Sequence, residues 1–307
     1  MSKLFQAMEK MRRQNQGQRP GPAPVSPPIP LRPMKPAEPV GSSGQDVPPL
    51  RPSLAPHTMR RPVEDVIGPT GERRTFREGK FGPPDAHLVS LVSPDSPEAE
   101  YYQRLRHTLE EWHQNDMGQV LAVTSPSAGD GKTVTILNLA GSLAREKEAR
   151  VLVIDADLRQ PSVDRYLGLA SFSGGLNELV SKGGRPEEDI FRHARFNLYV
   201  LPTTPSTTTP YEVLNSSRIH ELLLRVREDF DYVLIDSPPL TYPDFSLLKT
   251  HVDGTLMVIA AHRTPRRAVE EAVESLGGSK LIGMVFNRDT QQRPGRYYKS
   301  YRKRSRR

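Results

Sequence analysis

No cysteine occurs in the 307 residues. Its absence excludes disulfides, zinc–thiolate sites and cysteine nucleophiles, and it is compatible with a reducing compartment. Apolar residues are also scarce, at 36%. No stretch approaches the roughly 18–20 apolar residues that a membrane span needs. Met1 to Lys10 lack the apolar core of a secretion signal. The chain is therefore expected in the cytoplasm, with any membrane association made through a partner or a surface patch. Acids are missing from the last stretch: Arg293 to Arg307 hold eight basic residues and no acidic one, which accounts for the whole net charge of +7. The remainder is close to neutral, so a charge argument for nucleic acid applies to the tail alone.

What the chain has in excess is proline, 30 residues, of which 17 fall in the first 84. Residues 1–16 carry Leu4, Met8 and Met11 at helical spacing, compatible with a short amphipathic helix or a frayed end. Residues 17–85 read as a disordered proline-rich linker. From His87 the pattern changes. A helix is predicted over Ser96–Glu111, with Ser96 as cap and Pro97 in the first turn. Six apolar runs follow, at Val120–Thr124, Val151–Ile154, Leu198–Leu201, Tyr232–Ile235, Thr255–Ala260 and Leu281–Phe286. They show little alternation, as strands buried on both faces must. Helical stretches such as Lys132–Glu146, Arg218–Phe230 and Arg266–Leu276 separate most of them. This is the pattern of an α/β, doubly wound, mostly parallel sheet with helices on both faces, over residues 86–290, followed by a basic tail over 291–307. Ligands bind such sheets at the carboxyl ends of the strands.

The chemistry-bearing motifs fall at those ends. The first strand runs into Ser125-Pro126-Ser127-Ala128-Gly129-Asp130-Gly131-Lys132-Thr133, ahead of a helix. Small residues and glycines let the backbone curl its N–H groups around phosphate oxygens, and the helix N-terminus adds its positive end. Ala128, Gly129, Asp130, Gly131, Lys132, Thr133 and Val134 are the candidate nucleotide-binding residues. Lys132 suits β- and γ-phosphates and the Thr133 hydroxyl suits Mg²⁺. This is the P-loop pattern, with Pro126 where the strict form has glycine. The second strand ends in Asp155-Ala156-Asp157-Leu158-Arg159. One carboxylate there can hold Mg²⁺ and the other can orient or deprotonate an attacking hydroxyl. The fourth ends in Asp236, the Walker B position. Asn287 follows the last strand and reads either as an adenine-edge contact or as a turn-forming residue.

Together these residues resemble the bacterial tyrosine kinases of capsule and exopolysaccharide synthesis, relatives of the partitioning and septum-site ATPases. The likeness runs from about Leu88 to Asn287. It rests on the loop at 125–133, on Val-Ile-Asp-Ala-Asp-Leu-Arg at 153–159 with Pro-Ser at 161–162, on Pro-Tyr-Glu-Val-Leu at 210–214, and on Ile-Asp-Ser-Pro-Pro at 235–239. The resemblance implies ATP and Mg²⁺ as cofactors, catalytic roles for Lys132, Asp155, Asp157 and Asp236, and metal contacts from Thr133, Asp155 and Asp236. It implies trans-phosphorylation within a homo-oligomeric ring on tail tyrosines, here Tyr297, Tyr298 and Tyr301, with Glu100, Arg104 and Arg106 at the ring contact. It also implies an activating transmembrane chain-length regulator or co-polymerase, a cognate tyrosine phosphatase, and a location at the inner face of the membrane through that partner. The basic tail adds an expected peripheral membrane contact, which phosphorylation would weaken: three phosphotyrosines bring about −4.5 to −6 of charge. Departures from the family pattern are Ala128 for Pro, Gln103 for Arg, Thr204 for Gly and only three tail tyrosines. Two other functions stay open: an ATPase switch without kinase activity at a membrane complex, and a partitioning-type ATPase using the tail on DNA. The partitioning group carries a lysine where Ser127 stands, so nucleic acid is not an expected partner.

Overall fold

The structure, a computed structural model, describes residues 66–67, 73–112, 118–145, 149–204, 209–277 and 280–289. The helix expected at 1–16, most of the linker and the tail tyrosines lie outside the described residues. In chain order the strands are β1 (Val66–Ile67), β2 (Arg73–Arg74), β3 (Arg77–Glu78), β4 (Gln119–Thr124), β5 (Val151–Asp155), β6 (Phe191–Arg192), β7 (Leu198–Leu201), β8 (Tyr232–Asp236), β9 (Gly254–Ala260) and β10 (Leu281–Asn287). The helices are α1 (Val89–Val92), α2 (Pro97–Trp112), α3 (Lys132–Ala144), α4 (Val163–Leu167), α5 (Leu176–Lys182), α6 (Pro186–Asp189), α7 (Pro210–Leu214), α8 (Ser217–Asp229), α9 (Phe245–Leu248) and α10 (Arg266–Leu276).

Eight strands form one sheet in the order β10-β9-β4-β8-β5-β7-β6-β3. The six runs predicted from apolar pattern are the six parallel strands, β10 through β7. Every residue of β4, β5, β7, β8 and β9 is buried, which is why these segments read as continuous apolar runs. Alternate residues serve the two faces. Leu121, Val123, Val151, Val153 and Leu234 meet Ile136, Leu137 and Leu143 of α3 in one core. Ile154 and Ile235 meet Ile219, Leu222 and Leu223 of α8 on the other face. The edge strand β10 is only half-buried.

Helix starts follow local chemistry. The Ser96 hydroxyl accepts from the Ala99 N–H at 3.2 Å, and Pro97 opens α2 with Glu98 and Glu100 in its first turn. Thr209 and Glu212 form a capping box at α7.

The fold starts earlier than the expected boundary at residue 86. Phe76 is buried and packs its ring at 5.2 Å from Tyr199 and 5.3 Å from Phe230. Arg74 reaches Asp229 at 2.6 Å. Residues 73–85 are therefore packed onto the domain, with β3 at the edge of the main sheet, rather than being the end of a linker. The strands β3 and β6, two residues each, are too short to register as periodic pattern. A buried amide ties the helical layer together: Asn138 of α3 donates to the carbonyls of His87 and Val134 and accepts from the Ser90 N–H.

Candidate active site

The crevice is set by strand register. Asp155 and Asp236 are direct cross-strand partners at the ends of β5 and β8, and Val123 of β4 pairs with Asp236 from the other side. The loop leaving β4 is stitched to the loop leaving β8: Thr124 Oγ1 donates to the Pro238 carbonyl at 2.9 Å, and Leu240 N–H to the Ser125 carbonyl at 2.8 Å.

Gly129 and Gly131 have φ of 79° and 98°, a region open to glycine and costly for other residues. A Cβ on Gly131 would run into the Asn287 amide. Gly131 also offers no side chain to cap α3, so the first N–H groups of that helix lack intrahelical partners and remain for an anion. Asp130 braces the loop from below. Its carboxylate accepts from the Ser127 N–H at 3.0 Å and from Thr264 Oγ1 at 2.8 Å, and its carbonyl accepts from Asn287 Nδ2 at 3.0 Å.

Lys132 Nζ lies 3.5 Å from Asp157 Oδ2, with both side chains about nine-tenths buried. Thr133 Oγ1 donates to Asp236 Oδ2 at 2.7 Å and sits 3.3 Å from Ser162 Oγ. The other Asp236 oxygen, Oδ1, is buried with no hydrogen-bond partner. Asp155 spends both oxygens on backbone N–H groups: Oδ1 accepts from Asp157 at 3.2 Å, and Oδ2 from Ser162 at 2.9 Å and Val163 at 3.0 Å. Burial, the neighbouring Asp236 and, to a smaller degree, Asp157 hold the Asp155 carboxyl well above the usual range, against those hydrogen bonds. Burial likewise pushes Asp236 up to about 6, against the pull of Lys132 and the Thr133 hydroxyl. Two crowded carboxyls and an orphaned oxygen beside a threonine hydroxyl are the donor set that a hard divalent cation fits.

The residues singled out from sequence separate into four groups. The segment from Ala128 to Val134, with Asp155, Asp157 and Asp236, comes together in the crevice. Asn287 sits beside it as a brace on the loop, its Oδ1 accepting from the Arg288 N–H at 2.9 Å. Arg159 turns away to a bidentate pair with the buried Asp244, at 2.7 and 3.3 Å, and stacks 4.8 Å from the Tyr242 ring. Glu100, Arg104 and Arg106 lie apart on α2. Arg104 is exposed beside Tyr101, and Arg106 pairs along the helix with Glu110 at 3.5 Å. Sequence reasoning missed Ser162, Thr203 and Thr264 as supports. Thr203 Oγ1 donates to the Asp155 carbonyl at 2.6 Å. The Thr264-Pro265 pair opening α10 was the available signal for Thr264.

Residues 118–248 match a protein family described as an AAA domain. The tyrosine-protein kinase YwqD of Bacillus subtilis is 30% identical over 204 residues, 66% of this chain and 85% of that protein. The chain belongs to the bacterial tyrosine kinase family. The kinase domain of VpsO, 30% identical to this bacterial tyrosine kinase, superposes with a TM-score of 0.56 over 66% of this chain and 94% of that one. EpsB of Ralstonia nicotianae is 29% identical, and this kinase spans 30% of its length. Among the described residues, no helix of the kinase is long and apolar enough to cross a membrane.

Proposed function

We propose that this chain transfers the γ-phosphoryl group of ATP to tyrosines of the basic tail, Tyr297, Tyr298 and Tyr301, on a neighbouring copy. The observation that carries the reading is the pairing of Lys132 with Asp157 and of Thr133 with Asp236, at the ends of adjacent strands under a glycine loop.

The residues divide the work by their chemistry. The curled backbone of 128–133 binds the β- and γ-phosphates. Lys132 exchanges its pairing with Asp157 for a phosphate oxygen, which frees Asp157 to face the incoming phenol. Thr133 and Asp236 are the groups that would hold Mg²⁺. The ion supplies charge neutralisation on the β–γ bridge and the γ-phosphoryl oxygens. Asp155, anchored by three backbone N–H groups, positions the Asp157–Val163 loop. During transfer the bond from the γ-phosphorus to the bridging oxygen breaks and a bond to the tyrosine oxygen forms. ADP leaves, and the phenolic proton passes to Asp157.

In this reading the kinase works in capsule or exopolysaccharide synthesis, controlling chain length or export. It does so in a ring built through Glu100, Arg104 and Arg106, beside a membrane activator, with a phosphatase resetting the tail. Arg104 is exposed for such a contact. Mass-spectrometric phosphosite mapping after incubation with MgATP tests the transfer. Phosphate on Tyr297, Tyr298 and Tyr301, lost in Lys132→Met, is expected. Release of free phosphate with no phosphotyrosine would favour the ATPase switch instead.

A further inference from the structure

A pocket of about 370 Å³ opens beside the crevice, between the loops that leave β5 and β7. Pro161, Leu169 and Phe172 give it an apolar wall, and Asp164, Ser171 and Thr203 give it polar groups. Two residues link its surroundings to the reacting centre. Thr203 donates to the Asp155 carbonyl, and Ser162, next to Pro161, touches both Thr133 and Asp155.

Three observations define what fits there. The first is position. The phosphate loop is braced on its β9 and β10 flank by Thr264 and Asn287, whereas the pocket lies on the β5 and β7 flank. In-line transfer requires an acceptor on the side of the γ-phosphorus away from the leaving oxygen, and the pocket is on the carboxylate side of the centre. The second is shape: an aromatic and aliphatic wall beside hydroxyl groups suits a phenol ring. The third is charge. Asp164 makes no side-chain hydrogen bond or ion pair among the described residues, and its neighbour Arg165 instead stacks 5.4 Å from the Tyr166 ring. The rim therefore keeps an uncompensated negative charge. The tail's three tyrosines sit among eight basic residues and no acids.

We propose that this pocket receives the tyrosine of a basic peptide segment, namely residues 293–307 of a second copy, and that Asp164 is a specificity-determining residue selecting basic flanks. The proposal rests on the kinase reading and deepens it. Asp164 acts by steering and holding the acceptor, so its effect belongs in KM for the acceptor rather than in nucleotide affinity.

The test uses the full chain with two synthetic peptides. One has the sequence of residues 293–307, and the other has each Arg and Lys replaced by Gln. Phosphorylation is read by mass. The wild type should favour the basic peptide about fivefold in kcat/KM, the upper range for one exposed ion pair, and 0.5 M NaCl should erase most of that preference. Asp164→Lys should abolish or reverse it, with MgATP affinity unchanged. Asp164→Asn, nearly isosteric and a safeguard against misfolding, should leave about twofold. Wild-type preference retained by both variants, in protein that still transfers phosphate, overturns the pocket assignment alone. Transfer to neither peptide by the wild type overturns the kinase reading and the pocket with it.

Discussion

Asp236→Asn should make the metal-free protein more stable while disabling it. Asp236 is fully buried, one oxygen is satisfied by Thr133 and the other has no partner. Its rise from 3.8 to about 6 corresponds to about 3 kcal/mol of native-state penalty on the ionised form, at 1.36 kcal/mol per pH unit. The native state holds this proton to higher pH than the unfolded chain does. Stability therefore falls as pH rises from 3.8 through about 6, and the full penalty stands above that window. Asparagine does not titrate and still offers Thr133 an acceptor. In EDTA at pH 7.5, Asp236→Asn should gain up to ~3 kcal/mol, or about 6–12 °C in Tm for a domain of this size. The gain should shrink below pH 6 and be nearly gone at pH 4. Thermal unfolding across pH measures it, and the same samples should lose Mg²⁺-dependent nucleotide binding. A metal-free variant no more stable than wild type at pH 7.5 would refute the reasoning, because the carboxylate would then be compensated by its surroundings.

Gly131→Ala should weaken nucleotide binding by about 30-fold or more, from ~1–2 kcal/mol of left-handed backbone cost plus displacement of the Asn287 amide. Gly129→Ala, whose Cβ meets open space apart from Arg263, should cost only the backbone part; calorimetric titration separates the two. Arg74→Met should lower stability by about 2–4 kcal/mol, because it strands the buried Asp229 carboxylate without its cation, while Glu187 keeps Arg225 at 2.7 Å; denaturant unfolding reads the loss. His193 is buried between Phe81 and Phe196, and its Nδ1 accepts from the Arg195 N–H. Burial, then Arg195, lowers its pKa, so its share of stability stands above about pH 6.5 and falls as pH drops below it. His193→Phe should flatten that acid limb.

The six parallel strands and four longest helices were legible because burial on both faces leaves a pattern that survives in sequence. The carboxylates at the ends of β5 and β8 were legible for the same reason, since each closes an apolar run. What was not legible depends on contacts between distant residues. Nothing local marks Arg74 as the partner of Asp229, 155 positions away. Proline content hid Phe76, one aromatic in a polar stretch whose burial depends on Tyr199 and Phe230. Asn287 was seen as a polar residue at a strand end, but its partner, the Asp130 carbonyl, appears only once β10 is placed at the sheet edge. Asp155 and Asp157 looked alike in sequence. Only the turn that brings the Ser162 and Val163 N–H groups back to Asp155 distinguishes an anchored carboxylate from one paired with Lys132.

The central claim is that the loop, Lys132, Thr133 and Asp236 together hold a magnesium-bound triphosphate. Calorimetric titration of the folded protein with ATP, with and without Mg²⁺, beside Lys132→Met, tests it directly. Saturable binding that needs the ion and weakens about 10- to 100-fold in the variant is predicted, since a hydrogen bond to a charged group contributes roughly 1.5–3 kcal/mol. No heat of binding in magnesium buffer, or equal affinity in the variant, would contradict the account.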